Sequence, residues 1–130
     1  MLELALGASL LTLLFAGVVG FGPMFYNAIE IGDAARAGAV YGTANPGDTT
    51  GMQNTAIASA SNVQNVTSTA TRTCQCYGTS GTVSCSSTCA GSVTPMMYVT
   101  VTAQATINPM FQNPLAPGTI VARTVTMRAR

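Results

Sequence analysis

The sequence is short of charge and lacks three residue types entirely. Only 7% of its 130 residues are charged, whereas an ordinary soluble domain has about a quarter. Histidine, tryptophan and lysine are absent, and the formal net charge is +1. With so little net charge, the electrostatic field of the protein is too weak to attract nucleic acid or an acidic substrate. We therefore expect no nucleic-acid partner.

The groups that catalysis usually needs are also scarce. Without histidine the chain lacks the commonest general base and metal ligand. Its four carboxylates are Glu3, Glu30, Asp33 and Asp48, and no two of them form a plausible acid and base pair in a cleft. No dinucleotide-binding or P-loop spacing occurs, and the glycines near position 20 lie in an apolar run. We expect no enzyme, no cofactor, no metal and no small-molecule substrate.

What the chain has in place of charge is a long apolar segment near its start. From Leu4 to Ile29 there are 26 consecutive uncharged residues. As a helix this run is about 39 Å long, more than the ~30 Å hydrocarbon core of a bilayer. A secretory signal peptide has a basic start and a shorter apolar stretch, but here no basic residue precedes Arg36. The run predicts a helix able to span a membrane.

The helix is predicted to continue past the apolar run. Small and apolar residues keep a spacing of three and four, which extends one apolar face to about Tyr41. They are Ile31, Ala34, Ala35, Gly38 and Tyr41. The turn chemistry of residues 45–48 then ends the helix. Pro23 lies inside it and predicts a kink, because proline removes one backbone hydrogen bond.

The rest of the chain is polar and rich in threonine. Thr49 or Thr50 is expected to cap a short helix. Its apolar side consists of Met52, Ala56, Ile57, Ala60 and Val63. Alternation with a period of two then predicts strands at Tyr98–Ile107 and Thr119–Arg130, and a weaker one at Val66–Cys76.

These elements predict an α+β fold. A long N-terminal hydrophobic helix is followed by a small, disulfide-stapled antiparallel β-sheet with one buried face. We divide the chain into a membrane or filament-core helix (1–42), a turn with a short helix (43–64) and a β-domain (65–130).

Four cysteines lie within 16 residues, and we interpret them as disulfides. Their spacings, Cys-x-Cys and Cys-x-x-x-Cys, differ from the Cys-x-x-Cys of zinc knuckles. Four cysteines allow three pairings. If Cys76 and Cys85 face each other across a hairpin, the nested pairing of Cys76 with Cys85 and Cys74 with Cys89 follows. Each bridge then contributes about 2–3 kcal/mol in the chain-entropy model.

Several segments together resemble a known family. An acid stands ahead of the apolar helix, the stretch 33–42 reads DAARAGAVYG, and threonine-rich strands follow, one of them ending Thr126-Met127-Arg128. This arrangement is similar to the TadE-like pilins of tight-adherence (Tad) systems, which are relatives of the type IV pilins. Glu3 matches the glutamate near the family's N-terminus, although in type IV pilins it usually stands fifth after the cleavage point.

The resemblance implies a structural subunit. Such a chain is an inner-membrane precursor, is processed by a prepilin peptidase, and is added by the pilus assembly machinery to an extracellular filament of identical copies. The helix then forms the core and the β-domain the outer surface. A minor or tip pilin with an adhesive role, and a single-pass membrane-anchored surface protein, are the alternatives. The mature N-terminus and any leader stay open.

For assembly, a carboxylate beside an apolar helix needs a partner. We expect Glu3 to neutralise the α-amino group of Met1, in a neighbouring copy or its own chain, although a simple position among lipid headgroups also explains it. Small residues let helices approach closely, although glycine is also common in membrane helices generally. The remaining expected assembly positions are Gly17, Gly20, Pro23, Gly38 and Gly42.

The sequence also offers glycosylation sites. Asn65-Val66-Thr67 is an acceptor sequon, and Thr67 and Thr69 are candidate O-linked sites on an exposed filament wall. Strand propensity is the simpler explanation for the threonines, because threonine fits a half-exposed sheet.

Overall fold

The computed structural model describes residues 2–107 and 118–129, with the side chains of residues 2–6, 20 and 21 left out. Two helices precede four strands, as the predicted α+β class requires. They are α1 (Leu2–Ala44), α2 (Thr49–Ser59), β1 (Thr67–Gln75), β2 (Thr82–Val83), β3 (Met96–Ile107) and β4 (Thr119–Arg128).

Helix α1 has 43 residues, which makes it about 65 Å long. It ends three residues beyond the predicted end, just before the Asn45-Pro46 turn. The Asn45 backbone N–H and side-chain amide both donate to the Tyr41 carbonyl, at 3.0 and 3.4 Å. Pro23 lies inside the helix, and residues on both sides of it stay helical.

Helix α2 begins one or two residues before the predicted start, because its cap is a different residue. Asp48 is the N-cap residue, where the sequence had suggested Thr49 or Thr50. The Asp48 carboxylate accepts hydrogen bonds from the Gly51 N–H and from the Tyr41 hydroxyl, both at 2.8 Å. The cap therefore ties the start of α2 to the last turns of α1.

The four strands form one antiparallel sheet in the order β2-β1-β3-β4. The predicted inner face of β3 is confirmed, since five alternate residues are buried: Val99, Val101, Ala103, Ala105 and Ile107. This face packs on α1 and α2. From α2 the core receives Met52 and Ala56, as predicted, whereas Ile57 is 42% exposed and its predicted place on the buried side was wrong.

The predicted disulfide pairing was wrong. The structure joins Cys74 to Cys85 and Cys76 to Cys89, with Cα–Cα distances of 5.1 and 5.6 Å. The two closed loops overlap along the chain, whereas the prediction had nested one inside the other.

The strand register explains this outcome. Cys74 lies opposite Val83, so continuing the register places Gly81, and not a cysteine, opposite Cys76. Cys85 lies in the turn two residues past Val83, within bonding distance of Cys74. The prediction had assumed that Cys76 faces Cys85, which would shift the register by four residues.

Candidate assembly surface

The first half of α1 extends from the domain, and most of its described side chains are exposed. Among the described side chains of residues 7–30, none is buried. Large apolar side chains are exposed on every side of the helix, for example Leu13 (75%), Val18 (70%) and Phe25 (68%). We call residues 7–29 the exposed half of α1.

This half has the dimensions of a membrane span. Within the described residues, Gly7–Ala44 is one helix with a mean hydropathy of 1.8 over its most apolar window, and none of that window is buried. By length and composition it is able to cross a bilayer. Its apolar surface needs a cover of lipid or of protein, since water is a poor solvent for it.

The second half of α1 is built differently and is packed inside the domain. Ile31, Ala34, Ala35 and Ala39 are fully buried against the sheet and α2. We call residues 31–44 the packed half. Small side chains predominate on its buried face, which lets the helix approach α2 and β3 closely.

Two of the expected assembly residues, Gly38 and Gly42, belong to this internal contact. A methyl group on Gly38 would lie 2.6 Å from the Met52 carbonyl oxygen and 3.1 Å from a Val101 methyl. One on Gly42 would lie 2.8 Å from the Met52 sulfur. Both glycines are buried. The expectation that they contact the helix of another copy is therefore corrected, because they pack against α2 and β3 of their own chain.

The other expected assembly residues have different surroundings. A methyl group on Gly17 would meet no described atom within 4 Å beyond the adjoining helix backbone, and Pro23 is exposed. Gly20 lies in α1, but its surroundings are outside the described part. Met1 lies outside the described residues, and the same holds for the Glu3 side chain. The pairing of Glu3 with the Met1 amine therefore stays a prediction.

A polar contact marks the point where α1 leaves the domain. The Asn62 side-chain amide donates to the Glu30 carboxylate at 2.8 Å. Glu30 is the first charged residue after the apolar run, and Asn62 follows the end of α2. Sequence reasoning missed Asn62, because 32 residues separate it from Glu30 and no pattern links them.

The outward face of the sheet carries rows of threonine hydroxyls. Thr100 and Thr126 are hydrogen-bonded across β3 and β4 at 2.9 Å, and Thr102 and Thr124 at 2.8 Å. The candidate glycosylation residues Asn65, Thr67 and Thr69 are exposed at the start of β1 and beside it. The face is hydrophilic although it has little charge.

The end of the sheet far from the exposed half carries the disulfide loops. Tyr77 is 87% exposed, and a cavity of 760 Å³ lies beside it. Its lining includes the Cys76–Cys89 bridge, Val93, Met96 and Arg128.

An apolar helix that leaves a small folded domain fits a pilin-like, membrane-anchored protein. A comparison with protein families finds a similarity over part of the chain: the family model described as TadE-like protein matches residues 1–40. The match confirms the resemblance to TadE-like pilins and covers the exposed half with most of the packed half. That family is structural and not enzymatic. No curated protein and no solved structure matches the chain.

Proposed function

We propose that this chain is a structural pilin subunit that polymerises through the exposed half of α1 into an extracellular filament. The main support for this proposal is that large apolar side chains surround this half on all sides and none of those described is buried. In the filament, copies of the same half surround one another at the core. The sheet and the disulfide loops lie outside.

Hydrophobic burial alone does not drive the transfer of the chain from the membrane into the filament. Covering a large apolar side chain contributes about 1.5–3 kcal/mol relative to water. Before assembly, however, inner-membrane lipid already covers these side chains, and lipid is as apolar as a neighbouring helix. The transfer from membrane to filament therefore depends on close packing and on polar pairs between copies.

Glu3 is the proposed source of one such pair. A carboxylate in the bilayer costs about 2.5–3.5 kcal/mol on insertion scales at the centre of a span, so leaving lipid for a cationic partner is favourable. The α-amino group of a neighbouring copy is that partner. The pilus assembly machinery would extract the precursor from the inner membrane, and the pair would fix its register.

The experiment is to shear cells that express the chain and to compare fibre and membrane fractions by immunoblotting and electron microscopy. We expect uniform fibres that contain the chain. Glu3→Ala should leave the membrane fraction intact and strongly reduce the fibres, whereas Glu3→Asp, which keeps the charge, should retain part of the yield. Unchanged fibres with Glu3→Ala would contradict the pairing. A wild-type chain found only in the membrane would contradict polymerisation and favour a single-pass anchored surface protein.

A minor or tip pilin with an adhesive role is the second candidate. It is favoured by the exposed Tyr77 and the neighbouring cavity at the end far from the exposed half. Quantifying the chain in sheared fibres distinguishes the two roles, since a tip subunit would be present at only a few copies per fibre.

Glycosylation of Asn65, Thr67 or Thr69 is a separate proposal, supported by their exposure. Intact-mass measurement tests it. A mass equal to that of the unmodified polypeptide, 13.2 kDa for the chain described here, would contradict it.

A further inference from the structure

The packed half of α1, together with Ile29 at the end of the exposed half, has a second surface, which faces away from the sheet. Ile29 and Val40 are 66% and 53% exposed there, and Asp33 and Arg36 are exposed between them. We call these four residues the outer stripe. It continues directly from the exposed half of the same helix.

The two charges of the outer stripe are unpaired within the described part of the chain. Neither side chain has a hydrogen bond or an ion pair within 4 Å. The neighbouring acids are engaged, since Asn62 donates to Glu30 and the α2 cap holds Asp48. Asp33 and Arg36 are thus an acid and a base on one surface, each open to an external partner.

The acid and the base lie toward different flanks of the helix. Glu30, one turn before Asp33, faces the α2 side, where Asn62 binds it. Gly32, one turn before Arg36, faces β4, since a methyl group on it would lie 3.9 Å from the Arg123 Cγ. Residues three or four apart lie near one another on a helix surface. Asp33 therefore leans toward the α2 flank and Arg36 toward the β4 flank.

We propose that the outer stripe is a contact between copies in which Asp33 of one chain pairs with Arg36 of the next. Parallel helices placed side by side bring the acidic flank of one against the basic flank of its neighbour. The contact is heterologous, and such contacts generate open polymers when the rotation does not close. An offset of three residues corresponds to about 4.5 Å along the helix axis.

A second copy is the occupant that these observations favour. The stripe carries one acid and one base, so the stripe of a second copy has the opposite charge for each. Its apolar ends, Ile29 and Val40, are suited to a neighbouring helix. It is also continuous with the surface that the proposed polymer buries, so the inference rests on the proposed function. The Asp33–Arg36 pair would add a favourable electrostatic interaction to assembly, which replacing lipid by an equally apolar helix does not provide.

Charge exchange tests the pairing. Asp33→Arg and Arg36→Asp should each lower the yield of sheared fibres by about tenfold or more, because like charges then meet at the contact. The double variant Asp33→Arg/Arg36→Asp restores opposite charges and should recover most of the wild-type yield. Arg128→Asp, on the outward face of the sheet, is the matched control and should leave the yield unchanged. Protease resistance of the membrane-bound chains checks that each domain is folded.

The outcomes separate this inference from the proposed function. Wild-type fibres with unchanged yields in both single variants would overturn the pairing and leave polymerisation standing. A folded double variant that fails to recover would also overturn the pairing. If the wild type forms no fibres, the polymer itself is contradicted.

Cross-linking reports on the same contact in sheared fibres. Co-expressed chains carrying Asp33→Cys and Arg36→Cys should form more disulfide-linked dimers than either variant alone. Equal amounts of dimer would overturn the pairing.

Discussion

The two halves of α1 differ in side-chain size, and that difference sets what each can contact. The exposed half has Leu, Phe and Val on all sides, and none of its described side chains is buried. The packed half places alanine and glycine on one face, so that α2 and β3 approach its backbone closely. One continuous helix thus folds its own domain with small residues and presents large residues to other molecules.

Removing a disulfide should show the largest difference between the two halves, because it should destabilise the domain around the packed half and leave the exposed half unaffected. Replacing Cys74 and Cys85 with alanine opens a loop with a sequence separation of 11 and should lower the free energy of unfolding by about 3 kcal/mol in the chain-entropy model. Urea unfolding of the full chain in detergent measures the loss. Membrane insertion of the exposed half should not change.

The matched pair is Cys76→Ala with Cys89→Ala. Its closed loop is similar, with a separation of 13, but it lies beyond the end of β1. We expect a smaller loss, because Cys74 is 1% exposed and belongs to the buried face. Equal losses would mean that burial of Cys74 adds nothing to the bridge.

A methyl group at Gly38 should distinguish the packed half from the exposed half. Gly38→Ala places a carbon 2.6 Å from a backbone oxygen that has little room to move, and should cost about 1–3 kcal/mol of stability. Gly22→Ala is the control, because its methyl group meets no described atom within 4 Å beyond the adjoining helix backbone and alanine favours the helix. Equal effects on urea unfolding would contradict the close contact.

The Asp48 cap should make the packed half sensitive to acid. The Gly51 N–H, followed by the Tyr41 hydroxyl, donates to the carboxylate and lowers the pKa of Asp48 below its ordinary value of 3.8. A lowered pKa in the folded state gives stability that is present above the ordinary pKa and is lost as the pH falls through the folded-state value. Unfolding measured from pH 6 to 2 should show this loss.

Asp48→Asn provides the control for the acid effect. Asparagine also caps helices but does not titrate, so this part of the pH dependence should disappear while α2 remains. A pH profile identical to that of the wild type would assign the acid sensitivity to other groups.

The smallest effect is expected on the outward face of the sheet. Thr100→Val removes one partner of an exposed hydroxyl pair and should change stability by no more than about 0.5 kcal/mol, since cross-strand pairs contribute little and valine favours strands. A loss as large as that for Gly38→Ala would mean that the threonine rows stabilise the fold as much as the core does.

Much of the fold follows from pattern in the sequence. The period-two alternation from Tyr98 to Ile107 predicts both the strand and its buried face, because successive side chains in a strand point to opposite sides. The apolar run and the spacing from Ile31 to Tyr41 likewise predict α1 to within three residues of its end.

Contacts between distant segments were harder to predict. The disulfide pairing depends on the register of β1 with β2, which has only two residues and no alternation of its own. The roles of Gly38 and Gly42 depend on where α2 crosses α1, and a small-residue motif reads the same whether its partner is in the same chain or another. Asn62 acquires its role only when α2 brings it to Glu30.

The central claim is that the exposed half of α1 packs against copies of itself. A helical reconstruction of sheared fibres by electron cryomicroscopy tests it most directly. We predict a core of α-helices formed by residues 7–29 of successive copies, with the four-stranded sheets outside. Fibres that place the sheets at the axis, or that lack this chain while it remains in the membrane, would contradict the claim.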